Sequence, residues 1–303
     1  RNETGSPMDA PPLIAEITKD PVLAPAKLIA EAWDPGGLYQ VATFPSWRFA
    51  TWNDRFRDDV RAFIRGDEGE EIRENMKSRL LGSPDLYGEK GSPLFGINFI
   101  TAHDGFTLCD LVSYESKRNM ANGEDNRDGS DHNTSCNYGT EGETDDPEIG
   151  KLRHRQMRNF LLALFVSQGV PMLLMGDEYG HTRFGNNNAY CHDNALNRFL
   201  WDRPPFLSDF IKRLIRIRKA RPELRQERFV DKVTWEGEGY LGMNLEGRLF
   251  ILFNPTKNVV SLPDKQEREG WQLLISTADE PVTNRFGPYT SAVFLAPSLC
   301  TRS

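Results

Sequence analysis

Cysteine and histidine are both scarce in this chain, with four and five residues respectively among 303. Cys109, Cys136, Cys191 and Cys300 are widely scattered and form no C-x-x-C pair, which excludes a zinc ribbon and a dense disulfide framework and makes a reducing compartment the expectation. His132, His154, His181 and His192 show no metal-ligand spacing and are expected in solvent or in loops, so neither a metal nor another cofactor is expected. Long apolar runs are missing as well. The longest, Phe160 to Val166 and Val170 to Met175, fall far short of the roughly 20 residues a membrane-spanning helix needs. Positive charge is outweighed, 37 Lys and Arg against 44 Asp and Glu for a net charge of −7, and the longest basic run, Lys212 to Arg221, belongs to a helix. Nucleic acid and anionic membrane surfaces are therefore excluded as expected partners, and neutral substrates such as sugars remain. Arg1 to Gly5 include neither an initiator Met nor an apolar segment, so a fragment is expected rather than a natural start or a secretory leader.

At about 150 residues per domain the length suits two domains, and the pattern changes once along the chain. Met157, Phe160, Leu161, Leu164 and Phe165 recur with helical spacing before Gly169, and Leu207, Phe210, Ile211, Leu214 and Ile215 repeat it before Pro222. Between and before these helices lie short apolar runs bounded by turn residues: Lys27 to Ala30, Phe49 to Trp52, Ile97 to Ala102 and Val170 to Met175. Their lack of alternation predicts parallel strands buried on both faces, with a further helix from Asp54 to Gly66. The order predicts an α/β unit over 1–225 in which strand and helix alternate about four times. One insertion, Asn119 to Gly150, is too polar for a core and reads as an ordered lid or a disordered loop. After 225 the runs Lys232 to Trp235, Leu249 to Phe253, Trp271 to Ile275 and Ser291 to Leu295 are separated by Gly, Pro and Asn, which predicts a small antiparallel β-sandwich over 226–303.

Three predicted strands end in polar groups: Glu31, then His103 with Asp104, then Asp177 with Glu178. Parallel α/β folds and barrels place active sites at that edge. A single carboxylate after a strand is usually a helix cap or a turn former, and Asp177 and Glu178 fit that plainer role, fixing their own loop. A lone His103 would more often be structural. Two carboxylates across a cleft suit glycoside hydrolysis, one protonating the leaving oxygen and the other acting as nucleophile or stabilising the oxocarbenium-like centre. Glu31 and Asp104 form the natural pair. Trp33, Trp47, Trp52, Tyr39 and Phe106 are near in sequence, and Trp33 is the best placed to stack on a sugar, although such aromatics more often pack a core. Gly185 to Asn188 reads either as a subsite loop or as a turn.

Lys27-Leu28-Ile29-Ala30-Glu31-Ala32-Trp33-Asp34, the run Ile97 to Thr107 and the run Gly169 to Asn188 together resemble the isoamylase and glycogen-debranching branch of the α-amylase superfamily, glycoside hydrolase family 13. Leu38 to Val41, Trp52 to Asp54, Phe56 to Asp59, Asn122 to Glu124 and Glu141 to Thr144 add to it, so the resemblance covers 1 to about 225. It implies a fold that is the C-terminal half of a (β/α)8 TIM barrel followed by a small antiparallel β-sandwich, and hydrolysis of α-1,6-glucosidic bonds with retention. It makes Glu31 the general acid/base, Asp104 the third carboxylate that grips sugar hydroxyls in the transition state, and His103 and Trp33 substrate-binding residues. The residues alone would make Asp104 the nucleophile; the resemblance assigns that role to an Asp expected upstream of Arg1. Ala32 departs from the Pro of many relatives, which alters backbone stiffness and removes no catalytic group. The implied partners are branched α-glucans (amylopectin, glycogen or phytoglycogen), the N-terminal half of the same enzyme, and homo- or hetero-oligomeric copies. Plastid stroma or bacterial cytoplasm is the implied location, depending on the source. A noncatalytic glucan-binding or scaffolding subunit is the rival from another class, and an α-1,4-acting relative is a weaker one. The intact Glu31, His103 and Asp104 favour the enzyme.

Overall fold

A computed structural model describes residues 1–262 and 270–297; Cys300 lies outside the described residues. After a surface helix α1 (Pro12–Lys19), the chain forms four short strands, β1 (Leu28–Ala30), β2 (Phe49–Asn53), β3 (Gly96–Asn98) and β4 (Val170–Pro171), in one sheet of order β1-β2-β3-β4. All three pairings are parallel. Helices α2 (Asp54–Arg65), α3 (Glu70–Leu80) and α4 (Pro84–Tyr87) link β2 to β3, and α5 (Leu108–Leu111) and α6 (Pro147–Val166) link β3 to β4. The β1–β2 connection contains no helix, so the strict strand–helix alternation expected from the sequence fails there.

Local chemistry accounts for the helices that were legible. The Asn53 side chain accepts the Phe56 amide to start α2, and Gly66 ends it with φ of 100°. A Cβ at Gly66 would lie 2.8 Å from the Pro255 carbonyl oxygen, so glycine is required there twice over. Asp146 caps α6 by accepting the Glu148 and Ile149 amides at 2.9 and 3.3 Å, with Pro147 in the first turn. The expected insertion therefore ends before Gly150, which is helical, and Asn119 to Asp146 is ordered through side chains. Arg153 of α6, for example, donates to the Gly142 carbonyl at 2.6 Å.

Two strands are shorter than their apolar runs. Phe99, Ile100, Thr101 and Ala102 are buried yet lie beyond β3. The Arg61 guanidinium takes the Ile100 carbonyl through Nε and Nη2 at 3.0 and 2.6 Å, so that oxygen is satisfied by a side chain instead of a ladder. Past β4 the Met172 amide still bonds the Asn98 carbonyl at 2.8 Å, and Gly176, at φ 103°, turns the chain away.

Helix α7 (Ser208–Ala220) leads to β5 (Val233–Glu236), β6 (Leu241–Leu245), β7 (Leu249–Phe253), β8 (Val260–Ser261), β9 (Gln272–Ser276), β10 (Arg285–Phe286) and β11 (Ser291–Leu295). Five of these form an antiparallel sheet of order β5-β6-β7-β11-β9, and β8 pairs with β10. Alternating side chains give the larger sheet two apolar faces. Met243, Leu245, Ile251, Phe253 and Val293 join a core with α2, α3, α6 and α7, while Tyr240, Phe250, Leu252 and Ala292 meet Phe286 of β10. Among the described residues the expected sandwich is thus a five-stranded sheet with a two-stranded ribbon against one face and helices against the other. Among the described residues no helix is long and apolar enough to cross a membrane.

Candidate active site

Because β1, β2 and β3 run parallel, the residues that follow β1 and β3 emerge on one edge of the sheet. Glu31 leaves β1 directly, and His103 and Asp104 follow the buried segment Phe99 to Ala102. One side-chain donor atom of each of Glu31, His103 and Asp104 lies within 4.8 Å of the others, and all three residues are exposed. Residues 72 positions apart in sequence, Glu31 and His103, thus meet as the strand-end reading predicts. His103 Nε2 lies 3.5 Å from Asp104 Oδ2, with the two side chains 58% and 69% exposed. The same group meets the distance requirement for a three-ligand cation site, which the sequence reading did not anticipate; exposed acidic groups lie this close without an ion too.

An aromatic wall adjoins the cluster. Half-buried Trp33 meets Trp52 edge-on at 6.3 Å, and Trp52 lies 5.6 Å from the His103 ring and 5.3 Å from Phe99. Trp33 also forms an isolated bridge with Tyr39, whose hydroxyl donates to Asp54 at 2.7 Å; burial and that carboxylate push the phenol well above its usual range. Asp34, beside Trp33, is pulled down to about 2, chiefly by the Arg1 guanidinium at 2.7 Å and then by the Leu38 amide.

The other candidates do not join the cluster. Trp47 precedes β2, at the opposite edge of the sheet, and packs edge-on against Phe95 at 6.2 Å. Phe106 is fully buried beside Tyr114, because the helix cap at Thr107 turns the chain inward just after it. Asp177 is 1% exposed, and its carboxylate accepts Thr101 Oγ1 at 2.5 Å and the Leu108 amide at 3.0 Å. It therefore bonds the His103 segment and not its own loop as expected. Glu178 does serve locally, accepting the Gly176 amide at 2.8 Å. Gly185 to Asn188 is no open subsite, since Asn186 and Asn187 are each 2% exposed. The Asn187 side chain accepts Asn119 Nδ2 at 2.8 Å, its backbone amide donates to Asn119 Oδ1 at 3.0 Å, and its carbonyl accepts the Gly105 amide at 2.9 Å.

Of the histidines expected in solvent or loops, His154 instead lies in α6 and packs on Phe206 at 4.7 Å, and His181 is in a loop but only 4% exposed, with Nδ1 2.9 Å from the Tyr179 hydroxyl. Burial lowers the pKa of both. Sequence reasoning also missed Asp110, Arg183 and Arg61, which underlie the cluster. Arg183 donates to the His103 carbonyl at 3.0 Å, and Asp110 accepts Thr182 Oγ1 at 2.5 Å and the Arg183 amide at 2.8 Å. Burial raises Asp110 to about 6 and Asp177 to about 7, against the hydrogen bonds that favour their charged forms, and lowers Arg61 to about 9.

No family model matches the chain. It is 44% identical to isoamylase 3, chloroplastic, of Oryza sativa subsp. japonica over 331 aligned residues, covering 98% of this chain and 42% of that protein. It is 43% identical to the glycogen debranching enzyme of Erwinia tasmaniensis, covering 89% of this chain and 40% of that protein. The fold is similar to that of the solved pullulanase from Anoxybacillus sp., with a TM-score of 0.66 at 19% identity over 89% of this chain and 38% of that one. The chain thus spans about two fifths of the length of these curated relatives. Over that span, which includes the whole Glu31, His103 and Asp104 cluster, the chain belongs to the isoamylase and glycogen-debranching branch of the α-amylase superfamily.

Proposed function

We propose that this chain carries the acid/base side of a retaining glycosidase that cleaves α-1,6 branch linkages of starch or glycogen. The observation that carries the reading is the meeting of Glu31, His103 and Asp104 within 4.8 Å at one sheet edge, beside the Trp33 and Trp52 rings. Glu31 protonates the departing glycosidic oxygen and later deprotonates water. Asp104 and His103 grip hydroxyls of the sugar as its ring flattens toward the oxocarbenium-like transition state, and Trp33 offers an apolar ring face to a glucose unit. The nucleophile is an Asp outside this chain, consistent with the chain's share of its relatives' length.

In this reading β1 to β4 are the second half of a (β/α)8 barrel spanning 1–225, and 226–303 is a separate β-domain. The exposed β1 and β4 edges of the sheet receive the strands of the N-terminal half. The substrate is amylopectin, phytoglycogen or glycogen, and further copies of the enzyme or an isoamylase-like subunit complete an oligomer. The plastid stroma suits a plant or algal source, as the chloroplastic name of the rice relative suggests, and the cytoplasm a bacterial one.

Spacing alone does not separate the roles, because retaining pairs sit about 5–5.5 Å apart and Asp104 is near enough to Glu31 to serve as nucleophile. A fluorinated glucosyl trap that leaves the sugar covalently bound decides this in the full-length protein. Mass spectrometry is expected to find the label on a peptide outside this chain; a label on Asp104 would transfer the nucleophile's role to it.

A further inference from the structure

Four separate bonds hold the segment that carries His103 and Asp104, and all four come from residues 177–187 just beyond β4. Asp177 takes both flanks, accepting Thr101 Oγ1 at 2.5 Å before the pair and the Leu108 amide at 3.0 Å after it. Between these points Arg183 Nη1 donates to the His103 carbonyl at 3.0 Å, and the Gly105 amide donates to the Asn187 carbonyl at 2.9 Å. The grip is reciprocal. Asp110, two residues past Leu108, accepts Thr182 Oγ1 at 2.5 Å and the Arg183 amide at 2.8 Å. Asp110 is fully buried, and Asp177, Thr101 and Leu108 are each no more than 2% exposed, whereas the two residues the clamp presents are open to solvent.

We infer that Asp177 is a positioning residue for the proposed hydrolysis: by bracketing Thr101 and Leu108 it fixes the segment from which His103 and Asp104 reach the sugar. The physical reason is that the Asp104 and His103 side chains are mostly exposed, so their placement relative to Glu31 on another strand depends chiefly on the backbone beneath. Groups that act on a transition state must be held within about 0.5 Å of their working geometry. A bracket that accepts one side-chain and one backbone donor across six intervening residues supplies that constraint without touching substrate. Carboxylate burial without a matching ion pair is costly, and Asp177, which burial raises to about 7, bears that cost while bonding both flanks of the segment that carries His103 and Asp104. Asp177 has Arg183 nearby but bonds Thr101 and Leu108.

This inference rests on the proposed glycosidase reading, so the experiment carries one arm independent of activity. In the full-length protein at pH 8, where the Asp177 carboxyl is charged, Asp177→Asn keeps the shape and removes one acceptor, Thr101→Val removes one of the two bonds, and Thr101→Ser restores it. Hydrogen exchange of the peptide covering 101–108 is expected to speed up by tenfold or more in Asp177→Asn and less in Thr101→Val, with wild-type exchange in Thr101→Ser. On amylopectin, kcat is expected to fall by tenfold or more in Asp177→Asn with KM within about twofold, and Thr101→Ser is expected to recover most of the loss of Thr101→Val. Unchanged exchange over 101–108 would overturn the inference. So would a kcat within twofold of wild type in a protein that Glu31→Gln inactivates, or a rise in KM at constant kcat. A wild-type protein that releases no reducing ends would sink the glycosidase reading and the catalytic part of this inference with it, leaving only the bracket to the exchange arm.

Discussion

Two pairs of acidic residues at one edge of the parallel sheet sit in opposite surroundings. Glu31 and Asp104 face solvent, and Asp104 Oδ2 lies 3.5 Å from Nε2 of the exposed His103. Asp110, in α5, and Asp177, just beyond β4, are buried and each accepts a side-chain hydroxyl and a backbone amide. Surface carboxylates contribute little to stability and can be spent on chemistry, whereas a buried carboxylate is tolerated only if its oxygens are bonded, and removing it strands its donors. The contrast predicts that substitutions in the exposed pair abolish function without unfolding, and that substitutions in the buried pair act through structure.

The sharpest break would come at Glu31. Glu31→Gln in the full-length protein is expected to lower branched-glucan turnover by three orders of magnitude or more, since the proposed proton donor is lost. Its unfolding midpoint is expected to stay within about 2 °C of wild type, because exposed sites rarely cost more than about 0.5 kcal/mol. Reducing-end release and thermal unfolding on the same preparation check both halves. Near-normal turnover would remove Glu31 from the mechanism.

Asp104→Asn comes next. If the carboxylate holds sugar hydroxyls more tightly in the transition state than in the ground state, kcat falls by about 100-fold while KM for amylopectin changes little. A rise in KM at constant kcat would reduce Asp104 to a substrate-positioning group.

On the buried side, Asp110→Ala is expected to destabilise the fold by about 2–4 kcal/mol, because the Arg183 amide and the Thr182 hydroxyl both lose their acceptor in a dry site. Urea unfolding measures it. A loss below about 0.5 kcal/mol would show that water reaches these donors and would dissolve the contrast between the two pairs.

The exposed pair was legible in the sequence and the buried pair was not, for a physical reason. A short apolar run followed by a polar residue marks the end of a strand, and parallel strands end on one edge, so Glu31, His103 and Asp104 could be placed together before any coordinates. Even so, the exact end of β3 was hidden. Phe99 to Ala102 is as apolar as a strand, and only Arg61, arriving from α2 to take the Ile100 carbonyl, shows that pairing has stopped. Helix α3 was overlooked because it is mostly charged, although Ile72, Met76 and Leu80 recur every four residues and the acids precede the bases as a helix dipole favours. Asp177 was read as a bonding group, but its partners lie about 70 residues away, and nothing local distinguishes a carboxylate that fixes its own turn from one that fixes another. Asp110 bears no sequence signal at all, and Arg183, although inside the run Gly169 to Asn188, carries none that points to the His103 carbonyl. Long-range polar pairing has no periodicity to read.

The smallest effect separates the pairs by pH. Burial raises Asp177 to about 7 and Asp110 to about 6, despite the hydrogen bonds from Thr101, Leu108, Thr182 and Arg183 that oppose it. A carboxyl raised above its unfolded value of about 4 holds its proton more tightly in the folded state. Between pH 4 and 7 the native protein therefore binds more protons at these sites than the unfolded chain does, and their contribution to stability declines as pH rises through that window. Asn is neutral at every pH and resembles the protonated acid, so Asp177→Asn escapes the decline. The unfolding midpoint of Asp177→Asn relative to wild type is expected to move in the variant's favour by a few degrees between pH 5 and pH 8, whatever its starting offset at pH 5. Urea unfolding at both values gives the same comparison as a free energy. A difference that stays flat, or that moves in the wild type's favour as pH rises, would mean that Asp177 is already charged at pH 5 and that its two donors outweigh its burial.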